Sequence, residues 1–275
     1  MKVDYHIHSP YCGHAQGSLI QYVESALLAG LDEIGFADHL GRYYLGAPQR
    51  RRYWDWGMDE RLVERYVTEL TDLQDTYKDR IRIRLGLEVD YIEGGEELLN
   101  AITSRYPLDF VLGSIHCLPE FGWRHLSEVH HRNPEKVFQA YFDAAEAGIK
   151  SGCFQVLAHL DFVWRYVRWP RAGLIDVRER IAQIIALAAK EGVAIEVNAN
   201  SYLWSQVYRF EEWDTFEHML DCIRDSGAVV TMGSDAHAPK FVAKAFTQLY
   251  ENLVSRTITR MATFSARCLT VVEPG

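Results

Sequence analysis

The sequence has no long apolar run and no paired-cysteine motif, and these absences exclude several classes of protein. No apolar stretch approaches the ~18 residues that a membrane-spanning helix needs, and residues 1–6 do not form the apolar segment of an export signal. The five cysteines are an odd number at scattered positions without a Cys-x-x-Cys pair, which favours reduced thiols over a disulfide framework or a zinc ribbon. We therefore expect a soluble cytoplasmic protein that does not contact a membrane.

Basic residues are in the minority. Lys and Arg total 29 against 38 for Asp and Glu, so the formal net charge is −9. Because non-specific affinity for nucleic acids comes mainly from clustered cations, this balance argues against a long nucleic acid as partner. Glycine (19) and proline (8) are few and apolar residues make up 48% of the chain, which is typical of a folded globular protein.

The chain does contain an alternation of short apolar or β-branched runs with longer helix-periodic stretches. Seven runs are predicted strands, at 2–6, 32–37, 81–88, 109–115, 154–158, 193–198 and 229–232. Predicted helices lie at 18–29, 59–79, 95–105, 134–150, 176–191, 211–225 and 241–255, with Gly30, Gly192 and Gly227 where glycines end helices. Strands joined by crossover helices pair in parallel, so we expect one α/β domain over 1–275, either an open doubly wound sheet or a closed barrel.

The stretch 41–57 interrupts this alternation. It carries three consecutive arginines, Arg50 to Arg52, among several tyrosines and tryptophans. We expect a long loop there, which is either a lid or binding segment or a solvated charged surface.

Histidines and carboxylates follow nearly every predicted strand. They are His6, His8 and His14 after the first strand, Asp38 and His39 after the second, Glu88, His116 and His159 after the next three, and Asp235 and His237 after the seventh. Because the carboxyl ends of parallel strands converge on one face, we expect these side chains to share one mouth. Divalent cations would neutralise the carboxylates and engage the imidazoles, and zinc, iron and manganese all accept mixed nitrogen and oxygen ligands.

Any one of these histidines taken alone is more often a hydrogen-bonded polar residue than a metal ligand. Their joint placement after strands is what favours a metal site. Four histidines do not follow the pattern, and we expect His125, His130, His131 and His218 to be surface or structural residues. Cys12, between His8 and His14, is either a soft metal ligand or a small buried thiol, and the buried thiol is the more common of the two.

Seven short motifs resemble the PHP (polymerase and histidinol phosphatase) family of metal-dependent phosphoesterases. In order they are His6-Ile7-His8-Ser9, Tyr11-Cys12-Gly13-His14, Ala37-Asp38-His39, Gly86-Leu87-Glu88-Val89-Asp90-Tyr91, Gly113-Ser114-Ile115-His116, Ala158-His159-Leu160-Asp161 and Gly233-Ser234-Asp235-Ala236-His237. They span almost the whole chain in the family's order.

This resemblance implies a distorted (β/α)7 TIM-like barrel of the PHP type with three divalent metal ions, zinc, iron or manganese. One metal would be held by His6, His8, Glu88 and Asp235, a second by Glu88, His116 and His159, and a third by His14, His39 and His237. Glu88 would then be a bridging ligand.

The length and the absence of a polymerase or nuclease appendage resemble the histidinol-phosphatase branch of this family. That resemblance implies hydrolysis of L-histidinol phosphate to L-histidinol and phosphate in histidine biosynthesis. The segment Asn198 to Trp204 departs from the pattern of that branch, so another small phosphate ester or a short oligonucleotide remains a second candidate substrate. An amidohydrolase-like barrel and a non-catalytic metal-binding domain are two competing hypotheses for the function.

Catalysis of this kind needs a nucleophilic water, charge neutralisation and a protonated leaving group. We expect Glu88 to bridge metals. Asp235, Asp38 and a metal-bound water are the candidates for protonating the leaving group. Asp38 and Asp161 are alternatively partners that orient imidazoles. Arg165, Arg209 and Arg42 are candidate phosphate ligands, because a guanidinium binds phosphate through two parallel hydrogen bonds.

Overall fold

A computed structural model describes residues 1–46, 50, 57–167, 176–207 and 215–273. None of the helices in these ranges is both long enough and apolar enough to cross a membrane. Arg209, Arg51 and Arg52 and the tryptophans of the stretch 41–57 lie outside the described residues.

Seven parallel strands form the centre of the fold. They are β1 (Val3–Ile7), β2 (Glu33–His39), β3 (Arg82–Asp90), β4 (Phe110–Ser114), β7 (Val156–Leu157), β8 (Ala194–Asn198) and β9 (Val230–Gly233), hydrogen-bonded in that order. A parallel bridge between Ile7 and Ala236 joins the end of β1 to the chain that follows β9. The His8 amide donates to the Ala236 carbonyl at 3.0 Å across this junction. The first and seventh strands therefore meet, and the sheet closes into a barrel.

The helices lie between these strands, as expected for βα units. Within the described residues they are α1 (Leu19–Leu28), α2 (Glu60–Tyr77), α3 (Glu96–Thr103), α4 (Leu126–Val129), α5 (Pro134–Ser151), α6 (Val177–Glu191), α7 (Ala199–Val207), α8 (Thr215–Ser226) and α9 (Phe246–Ser255). Side-chain caps begin several of them. Ser18 and Gln21 form a capping box on α1, and Asp176 accepts the amide hydrogen of Glu179 at the start of α6.

The described residues also form two antiparallel hairpins. The short strands β5 (Cys117–Leu118) and β6 (Arg124–His125) pair just after β4, and β10 (Met261–Ser265) pairs with β11 (Cys268–Val272). The second hairpin joins the sheet through a single pairing of Met261 with Val230, at the amino end of β9.

This second hairpin covers the amino end of the barrel. Phe264 packs edge-on against Tyr5 with ring centroids 5.0 Å apart, and its amide donates to the Tyr5 hydroxyl at 3.1 Å. Phe110 completes the aromatic cluster inside the barrel. Gly86 makes room for it, because a Cβ there would lie 2.3 Å from the Phe110 ring. The amino end of the barrel is thus filled with packed side chains.

The predicted α/β barrel is confirmed, and all seven predicted strands form within two residues of their expected bounds. Gly30, Gly192 and Gly227 have φ values of 69°, 73° and 65°, the left-handed conformation that ends a helix at little cost for glycine. The two hairpins, α4 and α7 were not predicted. The cysteines form no disulfide, and four of the five are buried.

Candidate metal centre

Seven imidazoles from five strand ends form one continuous cluster at the carboxyl end of the barrel. Ring centroids of neighbouring histidines lie 4.1 to 6.3 Å apart, linking His6, His8, His14, His39, His116, His159 and His237. Glu88 and Asp235 lie among these rings. Residues separated by more than 200 positions in the sequence therefore meet, as the strand-end pattern predicted.

A change of pairing register in β1 positions the first two histidines. The pairing of β1 with β2 shifts between Asp4 and Ile7. Neighbouring residues of a regular strand point to opposite faces, yet Tyr5 contacts Phe110 and His6 contacts Glu88, both on the barrel's inner side. Because of this irregularity, β1 contributes Tyr5 to the barrel core and the next residue, His6, to the histidine cluster.

The first group of donor atoms surrounds one point. His6 Nε2 lies 3.0 Å from His8 Nε2 and 3.2 Å from Glu88 Oε2. His8 Nε2 lies 3.3 Å from both Glu88 Oε2 and Asp235 Oδ1. Two donors that each stand about 2.1 Å from a shared cation are separated by about this distance.

Glu88 also faces a second group through its other oxygen. Its Oε1 lies 3.2 Å from His159 Nε2 and 3.5 Å from His116 Nε2, and it accepts a short hydrogen bond from the Ser114 hydroxyl. A carboxylate whose two oxygens serve different imidazole sets has the geometry of a bridging ligand.

His14, His39 and His237 form a third group. One donor atom from each lies within 4.8 Å of the other two, and His14 Nε2 is 2.9 Å from His237 Nε2. His39 Nδ1 also lies 2.9 Å from Glu88 Oε2. This group is more exposed than the other two, at the outer rim of the mouth.

Burial and mutual repulsion keep several of these imidazoles neutral. The pKa of His8 lies well below its usual value because the ring is buried and because His237 and His39 lie nearby. Burial is the main cause that lowers the pKa of His14 to about 4, and the nearby His39 and His237 lower it further. Neutral imidazoles present lone pairs, which is the form that binds a metal.

The two carboxylates remain ionised. Burial opposes the charge on Glu88, but His39 and His6 outweigh it and hold its pKa well below the usual range. Burial likewise opposes the charge on Asp235, whose pKa is held low by His6 and His8. Closely spaced nitrogen lone pairs and two anionic carboxylates suit divalent cations as ligands. A cation among them would offset the repulsion between the lone pairs and the repulsion between the carboxylates.

Asp90 and Arg42 support the cluster from behind His116. Asp90 Oδ1 accepts from His116 Nδ1 at 2.8 Å, and Asp90 Oδ2 accepts from Arg42 Nε at 2.8 Å. Arg42 is 2% exposed and also contacts the Cys117 thiol. This placement corrects the expectation that Arg42 binds phosphate, because its guanidinium is buried and paired with Asp90.

Asp38 faces the turn that follows β1. Its Oδ1 accepts the amide hydrogens of Ser9 at 2.8 Å and Cys12 at 3.1 Å, and its Oδ2 accepts the Ser9 hydroxyl at 2.8 Å. Burial raises the pKa of this carboxyl to about 7. These bonds favour a structural role for Asp38, which is to hold the turn between His8 and His14.

Arg165 is the candidate phosphate ligand that the structure places at the mouth. Its guanidinium lies over the Phe162 ring at 4.8 Å, and its Nη2 is 3.7 Å from Asp235 Oδ2. Asn200, at the start of α7, donates to the same carboxylate oxygen at 3.1 Å. Asp161 accepts from the Ser201 hydroxyl at 2.5 Å, so it holds the start of α7.

Two site residues have unusual backbone conformations. His159 has φ of 22° and Asp235 has φ of 53°, in the left-handed region that non-glycine residues seldom adopt. Such conformations persist only where surrounding contacts enforce them, and they are concentrated at functional sites.

The four histidines that do not follow strands do not all lie at the surface. His125 is 8% exposed, and its ring centroid lies 6.1 Å from that of His116. Its Nδ1 accepts the Ser127 amide hydrogen at 3.2 Å and so caps α4, a structural role. His130, His131 and His218 are exposed or partly exposed, as expected.

Sequence reasoning missed Glu196, in the middle of β8. It is 1% exposed and contacts both His6 and His159. A glutamate within the apolar strand Ala194–Asn198 is the signal that could have identified it, since an ionised side chain is rarely buried without a partner.

A closed α/β barrel with imidazoles and carboxylates gathered at the carboxyl ends of its strands defines a barrel enzyme. Residues 4–200 match the family model for the PHP domain, which covers more than half of the chain. The chain therefore belongs to the PHP-domain family, and the resemblance drawn from its motifs is confirmed.

Curated relatives and solved structures agree with this assignment. The chain is 27% identical over 264 residues to a probable histidinol-phosphatase of Deinococcus radiodurans, covering 93% of this chain and 95% of the relative. It is 25% identical over 276 residues to a histidinol-phosphatase of Bacillus subtilis, covering 91% and 98%. Histidinol phosphate phosphatase of Lactococcus lactis, solved with zinc, L-histidinol and phosphate, superposes with a TM-score of 0.79 at 23% identity, covering 98% of both chains.

Proposed function

We propose that this chain is a metal-dependent phosphomonoesterase that hydrolyses L-histidinol phosphate to L-histidinol and phosphate. The chain is a phosphatase of the PHP family. The observation that carries the proposal is the meeting of seven imidazoles, Glu88 and Asp235 at one mouth, in a chain whose relatives are named histidinol-phosphatase.

Three groups of donors support three divalent cations in this single domain, as the family resemblance implies. His6, His8, Glu88 and Asp235 would hold one, Glu88, His116 and His159 a second, and His14, His39 and His237 a third. Zinc is the leading candidate because the Lactococcus lactis enzyme was solved with zinc, and iron and manganese suit the same donors.

Bound cations would supply positive charge that neutralises the phosphoryl oxygens and makes a water molecule acidic near neutral pH. The protein's own residues fix where that chemistry occurs. Glu88 and Asp235 stay ionised and hold the imidazoles around them, and Arg165 at the rim offers a guanidinium to the substrate phosphate. Asp235, Asp38 and a bound water are the candidates for proton transfer. An ionised Asp235, between His8 and Asn200, can act only as the acceptor of a proton.

A substrate panel tests this proposal. Zinc-loaded protein should hydrolyse histidinol phosphate with a kcat/KM well above its values for a generic aryl phosphate and for a nucleoside bisphosphate, and chelation should abolish all three activities. Equal turnover of the aryl phosphate would refute the assignment to histidinol phosphate. Metal binding without hydrolysis of any ester would indicate a non-catalytic domain, and hydrolysis of amides with one or two metals per chain would indicate an amidohydrolase.

A further inference from the structure

The carboxylate of Glu196 lies beneath the metal centre and divides its two oxygens between two histidines. Its Oε1 is 2.6 Å from His6 Nδ1, and its Oε2 accepts the backbone amide hydrogen of His159 at 2.7 Å. His6 belongs to the first donor group and His159 to the second. Glu196 therefore contacts one histidine of the first donor group and one of the second, the same two groups that Glu88 connects.

The contact with His6 determines which ring nitrogen faces the cluster with a lone pair. An ionised carboxylate only accepts hydrogen bonds, so the short contact requires a proton on His6 Nδ1. A neutral ring with that proton has its lone pair on Nε2, the atom that lies 3.2 Å from Glu88 Oε2. Glu196 therefore selects the tautomer of His6 that can bind a cation.

The contact with His159 supports a strained backbone. The φ of 22° at His159 is outside the regions that most residues occupy, and the bond from its amide to Glu196 helps to hold this conformation. His159 Nε2 then lies 3.2 Å from Glu88 Oε1. The same carboxylate thus fixes one imidazole through its ring and another through its main chain.

Gly233, at the end of β9, leaves the space that this arrangement needs. A Cβ at this position would lie 1.9 Å from Glu196 Oε1 and 2.5 Å from the Cβ of His6. Any side chain at position 233 would displace the carboxylate or the histidine. The absence of a side chain is therefore required by the bond between Glu196 and His6.

We propose that Glu196 is a positioning residue that aligns His6 and His159 for metal binding, and that Gly233 is needed to admit its carboxylate. This inference rests on the proposed function, because it assigns a role toward the same cations. It predicts an effect on metal affinity and ligand geometry in addition to any effect on turnover. Outer partners of ligating histidines typically contribute 10- to 100-fold to metal affinity.

The test uses Glu196→Gln, with Glu33→Gln as the matched control. Glutamine has one acceptor oxygen in place of two, so its NH2 group must replace one of the two carboxylate oxygens. If the NH2 group faces the His159 amide, two donors oppose each other. If it faces His6 Nδ1, it donates to that nitrogen and favours the tautomer with the proton on Nε2. Glu33 is equally buried but lies at the other end of the barrel, paired with Arg82 and Arg84. Zinc is titrated into chelator-treated full-length protein against a competing chelator, and Co²⁺-substituted protein is examined by visible absorption.

We expect Glu196→Gln to bind zinc roughly 10- to 100-fold more weakly and to shift the visible Co²⁺ bands. Glu33→Gln should leave both measurements unchanged, even if it lowers the melting temperature of the zinc-free protein. Gly233→Ala should also weaken zinc binding, because its Cβ would displace the Glu196 carboxylate or His6. Since the two substitutions disturb the same contact, the loss of affinity in the double variant should be smaller than the sum of the two single losses.

Wild-type affinity and an unchanged Co²⁺ spectrum in Glu196→Gln would overturn the inference while leaving the proposed function intact. Additive losses in the double variant would overturn the role of Gly233 as a partner of Glu196. Failure of the wild-type protein to bind any of zinc, Co²⁺, iron and manganese would overturn the inference and the proposed function together.

Discussion

Among individual residues, Glu88 has the most connections within the cluster. Its Oε2 lies near His6, His8 and His39, and its Oε1 lies near His116 and His159. A neutral side chain of the same shape would preserve packing but remove the negative charge that attracts cations to both groups. Charge and shape can therefore be separated at this position.

We predict that Glu88→Gln lowers kcat/KM by more than the roughly 10- to 100-fold that the loss of an outer partner costs in metal centres. The bound metal per chain should fall as well, because one shared ligand loses its charge. Elemental analysis and steady-state kinetics with histidinol phosphate measure these effects. Glu97→Gln, on the exposed side of α3, is the control and should behave as wild type. Wild-type turnover in Glu88→Gln would contradict a bridging role.

Arg165 gives a second prediction about a single side chain. A hydrogen bond to a charged group contributes about 1.5–3 kcal/mol, so Arg165→Ala should lower kcat/KM for histidinol phosphate by roughly 10- to 150-fold. Metal content should stay unchanged, since Arg165 lies 3.7 Å from Asp235 without being a candidate ligand. The exposed Arg132→Ala is the matched control. Loss of metal in Arg165→Ala would indicate that the guanidinium supports Asp235 instead of the phosphate.

The residues predicted from the sequence were those that follow strands. The geometry of parallel sheets alone places such residues together, which is why His6, Glu88, His159 and Asp235 could be grouped from the sequence. Arg42 and Glu196 were misjudged or missed for the opposite reason. Their partners, Asp90 and His6, are distant in sequence, and no local pattern predicts which buried charges will pair.

Among the structural elements, the terminal hairpin was the main omission. Tight hairpins are usually recognised by Asn-Gly or Asp-Gly at the turn, where both residues need positive φ. Here Ala266 and Arg267 occupy those positions, with φ of 49° and 62°. The amides of both residues donate to Asp109, at 3.2 Å to its side chain and 2.8 Å to its carbonyl. Long-range contacts enforce a turn that the local sequence does not favour, so it could not be predicted.

The hairpin should contribute measurably to stability. Phe264→Ala is predicted to lower the free energy of unfolding by roughly 3–5 kcal/mol, because it leaves a cavity against Tyr5 and Phe110. Val271→Ala, at a position 43% exposed on β11, should cost less than about 0.5 kcal/mol. Urea denaturation measures both. Equal effects of the two substitutions would show that the hairpin is not part of the core.

At the level of the whole molecule, buried histidines make stability depend on pH. Burial, followed by the charge of His116, lowers the pKa of His125 to about 4, below the usual value of 6.5. Between these two values the unfolded chain binds the proton and the folded chain does not. His125 therefore contributes stability that is complete above about pH 6.5 and is lost as the pH falls toward 4.

We predict that His125→Gln flattens the pH dependence of unfolding in this range, by at most about 1.4 kcal/mol per pH unit. Urea denaturation of chelator-treated protein at several pH values between 4 and 7 measures this slope. The exposed His131→Gln carries the same substitution and should retain the wild-type slope. An unchanged slope in His125→Gln would mean that another group accounts for the acid sensitivity.

The junction of β1 with the segment after β9 has a consequence for biosynthesis. His6 and His8 are translated more than two hundred codons before Asp235 and His237, which complete their surroundings. A nascent chain therefore carries half-built cation sites throughout most of its synthesis. We therefore expect metal to be bound only after the final strand of the barrel has docked.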